Sequence, residues 1–182
     1  MSLRGRLLVA SPVLVDPNFD GTVVLVLEHG DDGAAGVVLN RPTATDVGDP
    51  LPGWHRLALE PAVVFDGGPV SPDGAICLGR SWPDEPSPAW EPVVGAVGTV
   101  DLSVDPGEVS AGLQGIRVFA GYAGWGAGQL EDEVEAGAWF VIDARPEDAL
   151  SSEPENLWRS VLRRQRGRLA MFANFPDNPD AN

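Results

Sequence analysis

The stretch that most constrains this chain is Thr22–Leu27, which reads TVVLVL. A strand points successive side chains to opposite faces. One that is apolar and largely β-branched at every position must therefore be covered on both sides. A domain that holds it needs packed layers above and below a sheet. A second run, Gly36–Asn40 (GVVLN), is stopped by Arg41-Pro42 and is a natural hairpin partner, across a long turn-rich connector at His29–Ala35. Shorter runs at Leu7–Ala10, Val63–Phe65, Ala75–Leu78, Val97–Leu102, Ile116–Tyr122 and Ala138–Ile142 extend the sheet.

Helices supply the layers. Asp105-Pro106 reads as an N-cap followed by Pro at the first helical position, predicting a short helix to Leu113. Gln129–Ala136 places Leu130, Val134 and Ala138 on one stripe. Ser152-Glu153-Pro154-Glu155 reads as a capping box opening a helix with Leu157, Trp158, Val161 and Leu162, ending near Gly167. Residues 43–61 read as irregular. Residues 82–92, with Pro83, Pro86, Pro88, Pro92, Trp82 and Trp90, read as an ordered surface loop. Gly124, Gly126 and Gly128 read as a glycine-rich turn, and Pro176–Asn182 as a polar, frayed tail. With no repeat and no linker, the pattern predicts one α+β domain spanning residues 1–182.

Charge narrows the function. There are 27 Asp and Glu against 12 basic residues, all of them Arg, for a net charge of −15. No lysine means no Schiff base and no P-loop lysine. The acidic mean field repels phosphate, so neither nucleic acid nor an anionic membrane is an expected partner. Arg159, Arg163, Arg164, Arg166 and Arg168 concentrate five of the cations in ten residues. They read first as a helix end that complements its own dipole and the acidic body. A single Cys excludes an intrachain disulfide. Cys77 sits in Ala75-Ile76-Cys77-Leu78 and reads as an inert core residue. Two His, 26 positions apart, provide no metal-ligand spacing, so no metal and no cofactor is expected. Arg4 and Arg6 ahead of Leu7–Ala10 imitate a leader, but the run breaks at Ser11-Pro12, and the expected location is the cytoplasm.

Two constellations carry chemistry. Tyr122–Asp143 reads strand, glycine turn, helix, strand, with Asp143 19 residues after Gly124, which imitates a dinucleotide fingerprint. The spacing is Gly-x-Gly-x-Gly rather than Gly-x-Gly-x-x-Gly, and Glu131, Asp132 and Glu133 would repel a phosphate at the helix start. The second constellation is a polar pocket. Asn40-Arg41 ends one strand and Tyr122 another, and Gln129 and Glu133 share a helix face four residues apart. These five, Asn40, Arg41, Tyr122, Gln129 and Glu133, are the expected ligand-binding set, with Arg41 facing Glu133. No catalytic residue is assigned.

Three segments carry a family resemblance: His29–Pro42 (HGDDGAAGVVLNRP), Asp66–Val70 (DGGPV), and Gly121–Glu133 (GYAGWGAGQLEDE) followed by Gly137-Ala138-Trp139. With Leu7–Ala10 and Leu157-Trp158 they make the chain resemble the YqgE/AlgH family over nearly its whole length. The resemblance implies a bifurcated or barrel-like sheet flanked by helices. It also implies a small bacterial cytosolic protein, a transcriptional-regulator label carried by some members, and no catalytic residues to transfer. No basic recognition helix supports that label. The functional expectation is a non-catalytic regulatory protein that binds a small molecule or a protein. The alternative is an unassigned hydrolase or nucleotide-using enzyme. An interaction module, suggested by the six Trp, comes third.

Overall fold

The structure is a computed structural model and describes residues 1–174; the expected tail at Pro176–Asn182 lies outside them. In chain order its strands are β1 (Arg6–Ala10), β2 (Val23–Gly30), β3 (Gly33–Val38), β4 (Pro42–Asp46), β5 (Val63–Asp66), β6 (Val70–Ser81), β7 (Trp90–Val94), β8 (Val97–Val100), β9 (Leu113–Gly126) and β10 (Trp139–Asp143). The helices are α1 (Pro106–Val109), α2 (Gln129–Glu135), α3 (Pro146–Ala149), α4 (Leu157–Arg163) and α5 (Arg168–Phe172). The strands form one curled sheet in the order β10-β1-β2-β3-β9-β6-β8-β7, antiparallel along this path. The curl brings the segment before β1 against the edge strand β7: Arg4 donates from Nη2 to the Pro92 carbonyl at 2.9 Å.

The sheet splits at β9. One edge of β9 pairs with β6 over most of its length. The other edge pairs first with β5, in parallel through Phe65 and Asp66, and then with β3 through Ala123–Gly126. Strand β4 hangs from β5. This is the α+β architecture that the pattern of elements predicts, with the bifurcated, half-barrel sheet that the family resemblance implies. At the split, Gly67 donates to the Ala120 carbonyl and accepts from Val38 N–H, wedged between the diverging strands. A Cβ on Gly67 or Gly68 would come closer than 3.0 Å to the backbone of Gly121 or Tyr122. The Asp66-Gly67-Gly68-Pro69 turn is therefore glycine because main chain lies against main chain there.

Burial on both faces of β2 holds residue by residue. Val23, Leu25 and Leu27 face the inside of the curl with Leu7, Val9, Phe65 and Phe119. Val24 and Val26 face outward with Leu8, Ala10, Trp125 and Trp139. Helices α3 to α5 close the inside through Ala149, Leu157, Val161 and Leu162. The outer face is covered by α2 and by the 11–22 loop, whose Phe19 stacks on Trp125 and meets Trp139 edge-on, with centroids 6.1 and 5.6 Å apart. A third cluster, with Trp54, Cys77, Val109 and Ile116, lies outside β6 and β8.

Several local expectations are corrected. The β2–β3 hairpin has a two-residue turn, Asp31-Asp32, instead of a long connector, because Gly30 pairs with Gly33. Residues 43–61 contain most of β4, whose five residues are all exposed and so give no apolar signal. The Pro/Trp-rich loop ends in an edge strand, β7, where Pro92 is tolerated because edge positions need fewer N–H donors. Gly124 and Gly126 belong to β9, paired with Ala35 and Gly33, and only Gly128 turns, at φ +75°. The Ser152 capping box is not formed. Ser151 Oγ accepts Glu153 N–H instead, and a 3-10 turn at Pro154–Asn156 leads into α4. The Arg-rich helix is broken at Gly167, φ +71°. Arg164 there forms a bidentate pair with the buried Asp148, at 2.5 and 2.6 Å. Arg164 thus serves structure by neutralising a buried carboxylate.

Candidate functional site

In an antiparallel curl the ends of alternate strands gather at one mouth. Here the ends of β2, β8 and β9 meet the beginnings of β3, β6 and β7. Between them lies a cleft of about 490 Å³, with Leu27, Ile76, Val93 and Val100 as apolar walls and Arg4, Glu28, Glu91 and Tyr122 as polar ones. A second cleft of about 420 Å³ shares Glu28, Ala35 and Tyr122 with it and continues past Asp32, Gly124 and Trp125. Tyr122 is the hinge between them. It packs against the inner core, and its half-buried ring follows directly from the split of the sheet at Gly121, φ +73°. Among the described residues, Tyr122, Glu28 and Glu91 make no side-chain hydrogen bond. Barrel mouths with an apolar floor and a few convergent polar groups are common ligand sites.

Of the five residues singled out in the sequence, Tyr122 lines both clefts. Asn40 and Arg41 act on the 11–22 loop. Asn40 accepts Val23 N–H at 3.0 Å and donates to the Gly21 carbonyl at 2.9 Å. Arg41 donates to the carbonyls of Asn18, Pro17 and Asp20 at 2.6, 3.1 and 3.2 Å. Glu133 accepts the Trp125 indole N–H at 2.6 Å, and Gln129 accepts Gly126 N–H at 3.0 Å. These are different partners from the mutual Arg41–Glu133 pair the sequence suggested. The alternation of β9 explains the separation: Trp125 belongs to the outer cluster and Tyr122 to the inner one. Glu28, Glu91 and Arg4 were missed because they come from three distant segments. Their only sequence signal is a charge at the end of an apolar run.

The remaining reactive groups are accounted for by their contacts. His29 Nδ1 accepts Leu3 N–H at 2.8 Å, so the proton sits on Nε2, which donates to Glu131 at 2.6 Å. The Glu131 backbone N–H first, and His29 second, hold that carboxyl below its ordinary range. Burial pushes the Cys77 thiol up, away from thiolate formation. Arg117, 2% exposed, donates to the carbonyls of Ser151 and Glu60 at 2.7 and 2.9 Å and lies over the Phe65 ring at 4.5 Å. Desolvation lowers it to about 10, which leaves it charged at neutral pH. Among the described residues no group of three His, Cys, Asp or Glu could hold a metal ion, and no helix is long and apolar enough to cross a membrane.

The chain is similar to known proteins over its full span. It is 55% identical to a UPF0301 protein of Streptomyces avermitilis over 185 residues, covering 100% of this chain and 96% of that one. It is 54% identical to a UPF0301 protein of Streptomyces coelicolor, with the same coverage. Among solved structures, protein DIP2367 of Corynebacterium diphtheriae superposes with a TM-score of 0.90 at 29% identity, covering 96% of this chain and 93% of that one. The AlgH protein of Pseudomonas aeruginosa superposes at 0.71 and 30% identity, covering 96% and 94%. The sequence profile described as AlgH-like (DUF179) matches residues 7–170, and with the shared half-barrel this places the chain in the AlgH-like, or YqgE/AlgH, family.

Proposed function

We propose that this chain is a non-catalytic, cytosolic regulatory protein that holds a small molecule in the cleft around Tyr122. The observation that carries the reading is the polar set at that mouth. Two carboxylates with no side-chain partner among the described residues, Glu28 and Glu91, and the Tyr122 hydroxyl stand over an apolar floor, with one arginine, Arg4, already donating to Pro92. In a chain of net charge −15, such a set favours a ligand with an apolar body and a cationic head, such as an amine. The non-catalytic part rests on the state of the reactive groups: Cys77 is held as a thiol, and both nitrogens of His29 are engaged. The nucleotide-using alternative loses its motif, because Gly124 and Gly126 are strand residues whose backbone pairs with β3.

The test is a thermal-shift screen of hydrophobic amines against their neutral and carboxylate isosteres. A ligand that binds only the native state stabilises it by about 2.7 kcal/mol at one hundred times its Kd. The expected result is a concentration-dependent rise with amines alone, abolished in Glu28→Gln and weakened in Tyr122→Phe. Amines and carboxylates shifting the protein equally, or full retention in Glu28→Gln, would overturn the reading.

A further inference from the structure

The half-barrel has a second mouth, where β6 ends and β9 begins, and its charge balance differs: one arginine and one carboxylate line it, with a second arginine, Arg117, tied to the Ser151 carbonyl. A cleft of about 490 Å³ opens there, lined by Arg80, Gln114, Glu147, Ser151 and Ser152 with Leu59 and Leu150. Arg80 pairs with Gly115 and Leu78 with Arg117, so the two arginines occupy diagonal positions on the inner face of one strand pair. Diagonal neighbours on one face are about 7–8 Å apart, close enough for two cations to repel. Each has a buried Nε with no hydrogen-bond partner among the described residues. Neither forms an ion pair there, although Arg6 and Arg164 have found Asp143 and Asp148. Arg117 has two carbonyl oxygens and the Phe65 ring, and none of these is a counter-ion. In a chain with 27 acids to 12 arginines, two neighbouring inward cations that no carboxylate among the described residues pairs with call for an anion from outside.

We infer that this second mouth is a binding site for a small oxyanion, the carboxylate or phosphate group of a metabolite, with Arg80 as its direct contact. Ser151 Oγ accepts from Glu153 N–H, which leaves its own hydroxyl proton to donate, and the Ser152 hydroxyl stands beside it. Arg117 lies beneath, tied to the Ser151 carbonyl, and adds its field from below the floor. Glu147 in the wall opposes the ligand and so limits its charge. The site suits a single carboxylate or phosphate, not a polyphosphate or nucleic acid, which the acidic body also repels. A guanidinium matches both oxyanions through its planar fork of donors.

The experiment is a titration of ¹⁵N-labelled full-length protein at low ionic strength with inorganic phosphate, with acetate, and with sodium chloride at matched ionic strength. The signals followed are the Arg80 Nε–Hε and the amides of Gln114, Ser151 and Ser152. At least one oxyanion should shift these saturably while chloride does not, and the phosphate and acetate arms identify which group the site takes. Arg80→Gln should weaken binding roughly tenfold or more, as loss of a charge-assisted pair does. Glu147→Gln should tighten it several-fold, the opposite sign to a general loss of fold. The Tyr122 amide at the other mouth should not move, so failure here leaves the amine reading standing. Shifts equal to those with chloride, no shift with either oxyanion, or unchanged affinity in Arg80→Gln would overturn the inference. If Arg80→Gln does not fold, the wild-type and Glu147→Gln arms decide it alone.

Discussion

The split of the sheet at β9 should fail when a single methyl is added between its backbones. In Gly67→Ala the new Cβ meets the Gly121 carbonyl oxygen closer than 3.0 Å, with Phe119 Cβ at 3.0 Å beside it. Both obstacles are fixed to main chain, so no side-chain end can swing away. Overpacking costs about 1–3 kcal/mol, and a backbone obstacle belongs at the upper end, about 3 kcal/mol. Gly68→Ala adds a second penalty, since Gly68 has φ +146°, and a sparsely populated backbone costs a further ~1–3 kcal/mol. Gly128→Ala isolates the conformational part: its φ is +75° but nothing lies within 4 Å of the new Cβ. It should cost only about 1–2 kcal/mol. Urea unfolding of the three variants should therefore rank Gly68→Ala worst, Gly67→Ala next and Gly128→Ala mildest. For a chain of this size each kcal/mol is about 2–4 °C in Tm, so Gly67→Ala should melt roughly 6–12 °C low. A Gly67→Ala protein within about 1 kcal/mol of wild type, or one less affected than Gly128→Ala, would refute the close approach as the reason for these glycines.

The remaining contacts make separate predictions. Glu133→Ala leaves the buried Trp125 N–H without its acceptor and should cost about 1–3 kcal/mol in urea unfolding, with Glu133→Gln costing clearly less; equal costs would contradict the bond. Asn40→Ala should raise amide exchange at Val23 while leaving β9 protected, because Asn40 accepts that N–H; unchanged exchange at Val23 would deny it the anchoring role. A carboxyl whose folded pKa is depressed stabilises the fold above its ordinary value and loses that contribution as pH falls through the depressed one. Glu131 is such a group, so wild type should exceed Glu131→Gln at neutral pH and the gap should close on acidification below about 4.5; a gap independent of pH would refute the pairing with His29. Cys77 should label with a thiol reagent only on unfolding, and rapid native labelling would show that its burial is breached.

What could be read from the sequence was what packing writes into side chains. β2 was legible because both of its faces are buried, and the short helix at Asp105 because its cap is local: Asp105 accepts Gly107 N–H at 2.8 Å. β4 left no trace, since five exposed residues in a ladder look like loop. The glycines of Tyr122–Gly128 have different roles. Gly128 supplies a positive φ and turns the chain, whereas Gly124 and Gly126 are strand residues paired with Ala35 and Gly33, and only side-chain atoms lie within 4 Å of a Cβ placed on either. The close backbone approach falls on the partner strand, where a Cβ on Gly33 would meet the Trp125 carbonyl. Only the partner strand distinguishes the two uses.

The candidate sites show the same limit at a larger scale. Tyr122 ends an apolar run, yet the polar neighbours that line the cleft with it, Glu28 and Glu91, come from β2 and β7, which β3, β9, β6 and β8 separate in the strand order. Curling brings them together, and no local pattern encodes a curl. Arg80 had a usable signal. It follows Leu78 by two residues in β6, so it must share the inner face of a strand whose Leu78 is fully buried. A charge at such a position either finds a partner or marks an opening. The same alternation that hides Leu78 in the core thus places Arg80 at its lower mouth, while Tyr122 on β9 reaches the upper one. An antiparallel half-barrel in which every strand has one end at each mouth can line those mouths differently with no second domain. In this chain Glu28 and Glu91 outnumber Arg4 at one mouth, while at the other Arg80 balances Glu147 and Arg117 lies beneath.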